Sequence, residues 1–305
     1  MTANAANAAS AHAAAAPAVE RIAPEAPLHD VMAGDARWQV KCLDHGFVAM
    51  VDCMPRLVPE GKTADFAIVQ SARVSYGQGT KQVSEDRGLV RYLMRHRHST
   101  PFEMVEFKFH IAMPIFVARQ WIRHRTANVN EYSARYSIVP DRFYRPDAES
   151  VRKQSKTNRQ GGDEPIDAGT AEDFLRLLER AEANYRDYLS LTEKGVAREL
   201  ARAALPVSVY TEWYWKCDLH NILHFLSLRI DPHAQREIRV YAEAMYRLVK
   251  EIVPLTCEAF EDYRLHAMHL TRLEIEAMRS GAPLGTDNKR EVAEWEAKKA
   301  RLGLK

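Results

Sequence analysis

The sequence has few cysteines, and they lie far apart. Its 305 residues include four, Cys42, Cys53, Cys217 and Cys257, and no two of them form a Cys-x-x-Cys pair. Zinc knuckles and the disulfide frameworks of small secreted domains need closely or regularly spaced cysteines. The pattern therefore indicates reduced thiols, and we expect a cytoplasmic protein.

Long apolar runs and a strong net charge are also missing. No stretch of 18 apolar residues occurs, and the alanine-rich beginning lacks the basic start and leucine-rich centre of a signal peptide. The 43 basic and 41 acidic residues leave a net charge of only +2, so any attraction for polyanions must be local. We therefore expect neither a membrane partner nor a nucleic-acid partner.

Two common signatures of nucleotide binding are absent. The sequence contains neither a G-x-G-x-x-G motif after a strand nor a G-x-x-x-x-G-K-[ST] motif. The first motif marks Rossmann folds, and the second marks P-loops. If this chain binds a nucleotide, it must do so with a different fold.

Composition divides the chain into three parts. Residues 1–36 are mostly alanine, asparagine and proline, and they have too few large apolar side chains to offset the entropy lost on ordering. We predict a disordered tail there and one folded domain over residues 37–275. The highly charged residues 276–305 predict a peripheral C-terminal helix or tail.

Local patterns predict both strands and helices in the folded part. A turn at Asp44 separates two short apolar runs, and residues 105–111 alternate as in a half-buried strand. A helix should begin after Pro114, and Thr170 is the expected N-cap of a long helix. Residues 145–169 predict a surface loop. The predicted class is α+β, with a mixed or antiparallel sheet and several long helices.

The densest group of polar and charged side chains that could bind a ligand lies between Gln120 and Tyr136. If the preceding helix continued, Arg123 and Arg125 would point in different directions, because residues two apart lie on different sides of a helix. Amide, carboxylate, hydroxyl and guanidinium groups, all of which can bind a nucleotide, follow at Asn130, Glu131, Ser133 and Arg135. The alternative is a solvated helix end whose basic residues complement the helix dipole.

This segment resembles the signature of the flavin-dependent thymidylate synthases. In that family Arg-His-Arg is followed by seven residues and then Ser, as in Arg123 to Ser133 here. Other family blocks occur in the family order over roughly residues 38–260: Ala72–Ser75, His98–Glu103, Leu200–Pro206 and Leu228–Gln235. The sequence departs from the family at Asn128, where Ser is common, and at Asp218-Leu219-His220, where Asn-x-Arg is common.

The resemblance implies a reaction and a set of binding residues. Members convert dUMP to dTMP with 5,10-methylenetetrahydrofolate as carbon donor, FAD as hydride carrier and NADPH as reductant, in homotetramers with sites between subunits. The residues expected to bind dUMP are Gln120, Trp121, Ile122, Arg123, Glu131, Tyr132, Ser133, Ala134, Arg135, Arg202 and Arg229. Those expected to bind FAD are Ser75, His98, Thr100, Glu103, Arg123, His124, Arg125, Glu131, Asp218, His220 and His224.

Arg229 is the expected catalytic residue. A guanidinium beside N3 and its neighbouring carbonyl favours the enolate-like anion of the pyrimidine, which makes C5 nucleophilic. One such contact at an effective dielectric near 20 is worth about 4 kcal/mol. The alternative is a structural arginine paired with Asp231 or Glu237. Ser133 lacks a recognisable base, so we expect a ligand role for it and not a nucleophilic one.

Two other interpretations remain open at the level of sequence. His220 and His224 are four residues apart on one helix face and could belong to a metal-dependent phosphohydrolase, although no HExxH motif is present and we expect no metal. The basic residues 95–98 and 123–125 could instead form an RNA-binding patch, which the near-neutral net charge disfavours.

Overall fold

The computed structural model describes residues 20–22, 37–74, 86–155 and 161–304. Two compact units result, one ending at Cys257 and the other beginning at Glu258. The first unit holds nearly all the residues that the sequence points to. A strand of three residues, β1 (Glu20–Ile22), lies within the segment predicted to be a disordered tail.

An antiparallel sheet of six strands organises the first unit, as the predicted α+β class requires. Its strand order is β1-β2-β3-β4-β8-β5. The remaining strands of this sheet are β2 (Arg37–Cys42), β3 (Gly46–Met54), β4 (Glu106–Pro114), β5 (Asn128–Glu131) and β8 (Tyr210–Asp218). Strand β8 lies between β4 and β5, so β5 forms an edge of the described sheet.

The turn between β2 and β3 confirms the predicted hairpin. Leu43 adopts a positive φ of 55°, and Gly46 opens the next strand. A Cβ atom on Gly46 would lie 2.0 Å from the buried hydroxyl of Tyr241 and 2.8 Å from two backbone carbonyl oxygens. Only glycine fits here, because the sheet and a covering helix approach each other at this position.

Helices cover one face of the sheet. They are α4 (Ile115–Trp121), α7 (Leu219–Arg229) and α8 (Arg236–Ile252). Aromatic rings fill the space between the layers: Trp121 stacks on Phe225 at 4.5 Å between ring centroids and meets Trp215 edge-on at 5.7 Å. The aromatic run at residues 210–215 is largely buried and belongs to this core.

Helix α4 is shorter than the sequence indicated. Pro114 is its N-cap, as expected for a residue with no N–H to lose, but the helix ends at Trp121. Arg123 and Arg125 therefore do not lie on a continuous helix, so the directions expected from helical geometry do not apply to their side chains. Instead, the chain turns and enters β5, which pairs with β8.

Helix α5 (Ala168–Glu193) covers a second, smaller core. Val139, Phe143, Tyr185 and Tyr188 pack together there, and the backbone of Val139 bonds to both tyrosine hydroxyls, at 2.6 Å and 3.2 Å. The N-cap of α5 is Asp167, whose carboxylate accepts the N–H of Thr170 at 2.9 Å. The prediction that Thr170 caps this helix was therefore wrong by one turn.

The predicted loop at residues 145–169 contains some regular structure. A 3-10 turn, Ala148–Ser150, precedes a short hairpin of β6 (Arg152–Gln154) and β7 (Gly162–Pro165). The first unit also contains α1 (Asp65–Val74), α2 (Asp86–Arg95), α3 (Thr100–Glu103) and α6 (Arg198–Ala201), and α9 (Pro254–Phe260) spans the division between the units.

The second unit contains α10 (Arg272–Ser280) and α11 (Lys289–Leu302). A capping box at Thr271 and Glu274 begins α10, and Lys298 of α11 pairs with Glu274 at 2.8 Å. Trp295 of α11 is buried. Across both units, no described helix is long and apolar enough to cross a membrane.

Candidate active site

Arg229 and His124 meet although 105 residues separate them in the sequence. Arg229 is the last residue of α7, and its Nε donates a hydrogen bond of 3.1 Å to Nε2 of His124. The His124 ring also lies edge-on to the buried Phe225, with 5.0 Å between centroids. The packing of α4 against α7 therefore joins the Arg-His-Arg segment to the predicted catalytic arginine.

His124 must be neutral to accept this bond. Burial, followed by the nearby Arg229 and His224, lowers the pKa of His124 from 6.5 to about 4. Because a guanidinium has only donors, the lone pair of His124 is on Nε2 and its proton is on Nδ1. At neutral pH a charged arginine is thus held by an uncharged histidine.

Among the described residues, no carboxylate pairs with Arg229. Burial, and then the charge of Arg123, lower the pKa of Arg229. In the described structure the suggested partners bind elsewhere: Asp231 bonds to His233, and Glu237 bonds to Tyr144 and Gln235. The interpretation of Arg229 as a structural salt-bridge residue is therefore not supported, and its charge remains available to an anion.

A cavity of about 220 Å³ opens beside this pair. Its lining combines the basic segment with residues of β8 and α7, which are Arg123, His124, Arg125, Thr126, Trp215, Cys217, Asn221 and His224. Arg123 and Arg125 are exposed, whereas Trp215 and Cys217 are buried beneath them. We call this space the arginine cavity.

The block at residues 98–103 lies at the beginning of α7. Helix α3 packs against α7, and the N–H of Leu219 donates to the carbonyl of Val105 at 2.7 Å. His98 and Thr100 are exposed, and Glu103 is half-buried. Three of the predicted flavin residues are thereby brought to the helix that carries His220 and His224.

The sequence departs from the family pattern at Asp218-Leu219-His220, and these three residues do not all lie on α7. Asp218 is the last residue of β8 and the N-cap of α7, and Asn221 donates to both of its carboxylate oxygens, at 3.0 Å and 2.8 Å. His220 and His224 are exposed, and only His224 reaches the arginine cavity. Ser75 lies outside the described residues.

Strand β5 presents the second half of the signature on the surface. All four of its residues are exposed, and the carboxylate of Glu131 accepts a hydrogen bond of 2.8 Å from the buried hydroxyl of Thr211. The backbone N–H of Tyr132 donates to the carbonyl of Glu212 at 2.8 Å. Ser133 and Ala134 follow and are half-buried.

Arg135 lines a different cavity, of about 430 Å³. Its opposite wall is the turn between α5 and α6, where Arg198 donates to the carbonyl of Tyr136 at 2.8 Å. Arg202, in the 3-10 turn after α6, is exposed, and its Nε donates to the carbonyl of Glu199 at 3.3 Å. A single chain thus places Arg135, which is expected to bind dUMP, apart from the arginine cavity.

The three predicted dUMP residues at the end of α4 differ in burial. Trp121 is fully buried in the aromatic core, so its side chain cannot touch a ligand on the surface. Ile122 is exposed. Gln120 has a buried Oε1 atom with no hydrogen-bond partner in the described structure, and such atoms in native proteins call for a donor.

Reasoning from sequence overlooked Thr126, Asn221, Cys217, Thr211 and Arg198. The first three line the arginine cavity, Thr211 holds Glu131, and Arg198 lies opposite Arg135. Strict alternation in β8 would have placed Trp213, Trp215 and Cys217 on one face, but no local pattern shows which cavity that face adjoins.

Among the described residues, no further ligand completes a metal site at His220 and His224. Among the described residues, no group of three or more histidine, cysteine, aspartate and glutamate side chains could hold a metal ion. All four cysteines are unpaired by disulfides.

Comparisons with known proteins agree on one family. The model of the family described as "Thymidylate synthase complementing protein" matches residues 56–255. A protein of Dictyostelium discoideum named flavin-dependent thymidylate synthase is 62% identical over 284 residues, which cover 93% of this chain and 94% of the relative. A protein of the same name from Gluconobacter oxydans is 59% identical over 233 residues, covering 75% and 74%.

The solved structures include a similar fold. The UMP/dUMP methylase PolB from Streptomyces cacaoi, bound with 5-Br UMP, superimposes with a TM-score of 0.63 at 36% identity, covering 73% of this chain and 96% of that one. The family match spans more than half of the sequence and includes the Arg-His-Arg segment, β8 and α7. This chain belongs to the thymidylate synthase complementing protein family, whose curated members are named flavin-dependent thymidylate synthases.

Proposed function

We propose that this chain methylates dUMP to dTMP. The carbon comes from 5,10-methylenetetrahydrofolate, and the reducing equivalents come from NADPH by way of FAD. Membership in the family and the arrangement around Arg229 support this reaction. We further propose that it takes place in the cytoplasm, since the four cysteines are free thiols.

The bond between Arg229 and His124 is the observation that carries the proposal. It uses Nε of the guanidinium and leaves the two terminal nitrogens, with four N–H donors, for a ligand. Because the partner is a neutral imidazole, the bond orients Arg229 without neutralising it. A carboxylate in the same place would have cancelled the charge.

Such an arginine is suited to activating a pyrimidine. A fixed guanidinium beside N3 and a ring carbonyl stabilises negative charge on the ring and makes C5 more nucleophilic. The nearby Arg123, which already lowers the pKa of Arg229, makes the site more favourable for a second negative charge. We therefore assign Arg229 as the catalytic residue that polarises dUMP.

The residues of the arginine cavity fit part of a flavin nucleotide. Two exposed guanidinium groups, Arg123 and Arg125, suit the diphosphate, because planar forks of donors bind phosphate oxygens in pairs. His124, His224 and the exposed residues of the 98–103 block would lie along the same cofactor. When bound, FAD supplies the hydride chemistry that no side chain can provide.

We assign the phosphate of dUMP to Arg135. Its exposed guanidinium lines a cavity with Arg198, and Arg202 follows on the next turn. Glu131, held by Thr211, would bind the sugar or ring and at the same time exclude a second anion. Gln120 offers a buried acceptor, and Ser133 adds a hydroxyl.

A second chain is needed to bring these groups together. The arginine cavity, at about 220 Å³, is smaller than the roughly 300–1,000 Å³ typical of ligand pockets, and Arg135 lines a separate cavity. Strand β5 exposes all four of its residues at a sheet edge. We propose a homotetramer in which neighbouring chains complete each other's sites. Light scattering of the purified protein would measure the number of chains in the assembly.

An assay of dTMP formation with an arginine variant tests the reaction. The purified protein should show a flavin absorption band and should form dTMP from dUMP, methylenetetrahydrofolate and NADPH. Arg229→Ala should retain the flavin band but lose about 100-fold to 1,000-fold in turnover, as when one preorganised donor is removed. Arg180→Ala, an exposed arginine of α5, is the matched control and should keep full activity.

A protein that neither contains nor takes up FAD would refute this function. An Arg229→Ala variant that makes dTMP as fast as the wild type would instead remove the catalytic role assigned to Arg229.

A further inference from the structure

The end of helix α2 has an unusual backbone conformation. The N–H of His98 donates to the carbonyl of Leu93 at 3.0 Å, and the N–H of Arg97 donates to the carbonyl of Met94 at 3.2 Å. This pair of bonds is the Schellman motif, in which a residue just beyond the helix takes a left-handed conformation. Here that residue is Arg97, with a φ of 61°. The chain therefore turns at Arg97, and the backbone of His98 is tied to the last turn of α2.

Arginine is an uncommon residue at such a position. A Cβ atom makes the left-handed conformation unfavourable, so glycine usually occupies it. Helices α10 and α11 follow this rule, because they end at Gly281 and Gly303 with φ of 68° and 66°. Other residues keep a left-handed conformation where their surroundings hold them in it, often beside functional sites. Arg97 directly precedes the block at residues 98–103, so its conformation determines the direction in which that block leaves α2.

Stacked rings hold the side chain of His98 on the same turn. The rings of Tyr92 and His98 are 6.0 Å apart between centroids and are inclined to each other by 25°. The ring of His96 also lies on Tyr92, with 4.4 Å between centroids. Offset aromatic pairs at such distances attract each other. An exposed histidine would otherwise sample several rotamers, whereas the ring of His98 is held by α2.

The chain after His98 is anchored as well. Ser99 is the N-cap of α3, and its carbonyl accepts the N–H of Phe102 at 2.9 Å. Phe102 is buried, and α3 packs against α7. Helix α7 carries His224 and Arg229. The chain is thus fixed on both sides of His98, by α2 before it and by α3 and α7 after it.

We propose that Tyr92 and Arg97 are positioning residues for flavin binding. The left-handed backbone of Arg97 sets the path of the chain into His98, and the ring of Tyr92 sets the orientation of the imidazole. His98 then meets the flavin with its ring already oriented, so less conformational entropy is lost when the cofactor binds. This inference rests on the proposed function, because it needs FAD as the ligand of His98.

Replacement of Tyr92 tests the role of its ring. Flavin fluorescence on dilution of the full-length holoprotein measures FAD release, and visible circular dichroism of the bound flavin reports its surroundings. Tyr92→Leu should weaken FAD binding by about threefold to tenfold, the loss expected for one aromatic pair, and should change the visible signal. Tyr92→Phe keeps the ring and should match the wild type in both measurements.

Phe174→Leu is the matched control for the loss of an exposed ring. Phe174 lies on α5 and is 40% exposed, close to the 43% of Tyr92. This variant should keep the flavin affinity and the visible signal of the wild type. If both leucine variants weaken FAD binding equally, the role of Tyr92 is overturned.

Replacement of Arg97 tests the backbone conformation. Arg97→Gly can adopt a φ of 61° without a Cβ atom and should bind FAD as tightly as the wild type. Arg97→Val should weaken FAD binding by about threefold or more, because a β-branched side chain strongly disfavours the left-handed conformation. An Arg97→Gly variant that loses as much affinity as Arg97→Val would overturn the role of the backbone.

This inference and the proposed function fail on different results. If the wild type binds FAD, and Tyr92→Leu and Arg97→Val bind it equally tightly, the positioning role is overturned and the proposed function stands. A wild type that takes up no FAD refutes the proposed function, and this inference with it.

Discussion

The two halves of the Arg-His-Arg signature lie in different physical environments. Residues 123–125 follow the buried Trp121 and are joined to α7 by the bond from Arg229 to His124. Residues 128–136 comprise the exposed edge strand β5 and the segment after it, in which Tyr136 is 72% exposed. The first half is preorganised by the core of its own chain. The second half exposes polar groups to solvent, where a ligand or a neighbouring chain can contact them.

Replacing Trp121 should produce the largest effect, because it removes the support of the first half. Trp121→Ala should lower the free energy of unfolding by about 3–5 kcal/mol, the usual cost of removing a large buried aromatic ring. Urea unfolding measures this cost. Trp121→Phe is the control and should cost less, since it keeps the stacking on Phe225. An alanine variant as stable as the wild type would show that the core does not hold this segment.

Replacing Arg135 should impair substrate binding but leave stability nearly unchanged. Arg135→Ala should raise the KM for dUMP by about tenfold to 100-fold, the cost of one charge-assisted hydrogen bond to a phosphate. Its stability should change by less than about 0.5 kcal/mol, as is usual for exposed side chains. Steady-state kinetics and urea unfolding measure the two quantities. An unchanged KM would remove Arg135 from the phosphate site.

Thr211 tests the connection between the core and the exposed strand. Thr211→Val keeps the shape of the side chain but removes the hydroxyl that bonds to Glu131. The unfolding free energy should fall by about 1 kcal/mol, and dUMP binding should weaken modestly. Thr211→Ser keeps the hydroxyl and should restore binding. If valine and serine behave alike, Glu131 does not depend on this bond.

At neutral pH the smallest effect should come from the titration of His124, because this effect appears only as the pH falls. Its pKa is lowered to about 4 in the folded chain, so below pH 6.5 the unfolded chain takes up a proton that the folded chain resists. This histidine therefore lowers stability as the pH falls from 6.5 towards 4, and has no such effect above 6.5. Unfolding of His124→Gln, measured over that range, should depend less on pH. Equal slopes for both proteins would contradict the assignment.

Short-range patterns predicted much of the fold and less of the site. The Asp44 hairpin and the strand that leads to Pro114 were confirmed, because turn chemistry and alternation are properties of neighbouring residues. The end of α4 and the cap of α5 were not predicted correctly, since tertiary contacts decide where a helix stops. The bond from Arg229 to His124 could not be foreseen from spacing, because it joins two helix ends brought together only by packing.

The amino-acid sequence by itself determined the class of the fold and the family, because alternating apolar residues and a signature of fixed spacing can be read along the chain. Tertiary structure alone decided that the side chain of Trp121 belongs to the core, and that Arg229 is paired with a neutral partner. The physical reason is that burial and charge pairing depend on which distant groups share one small volume. Such neighbours are set by the packing of helices on the sheet and not by order in the chain.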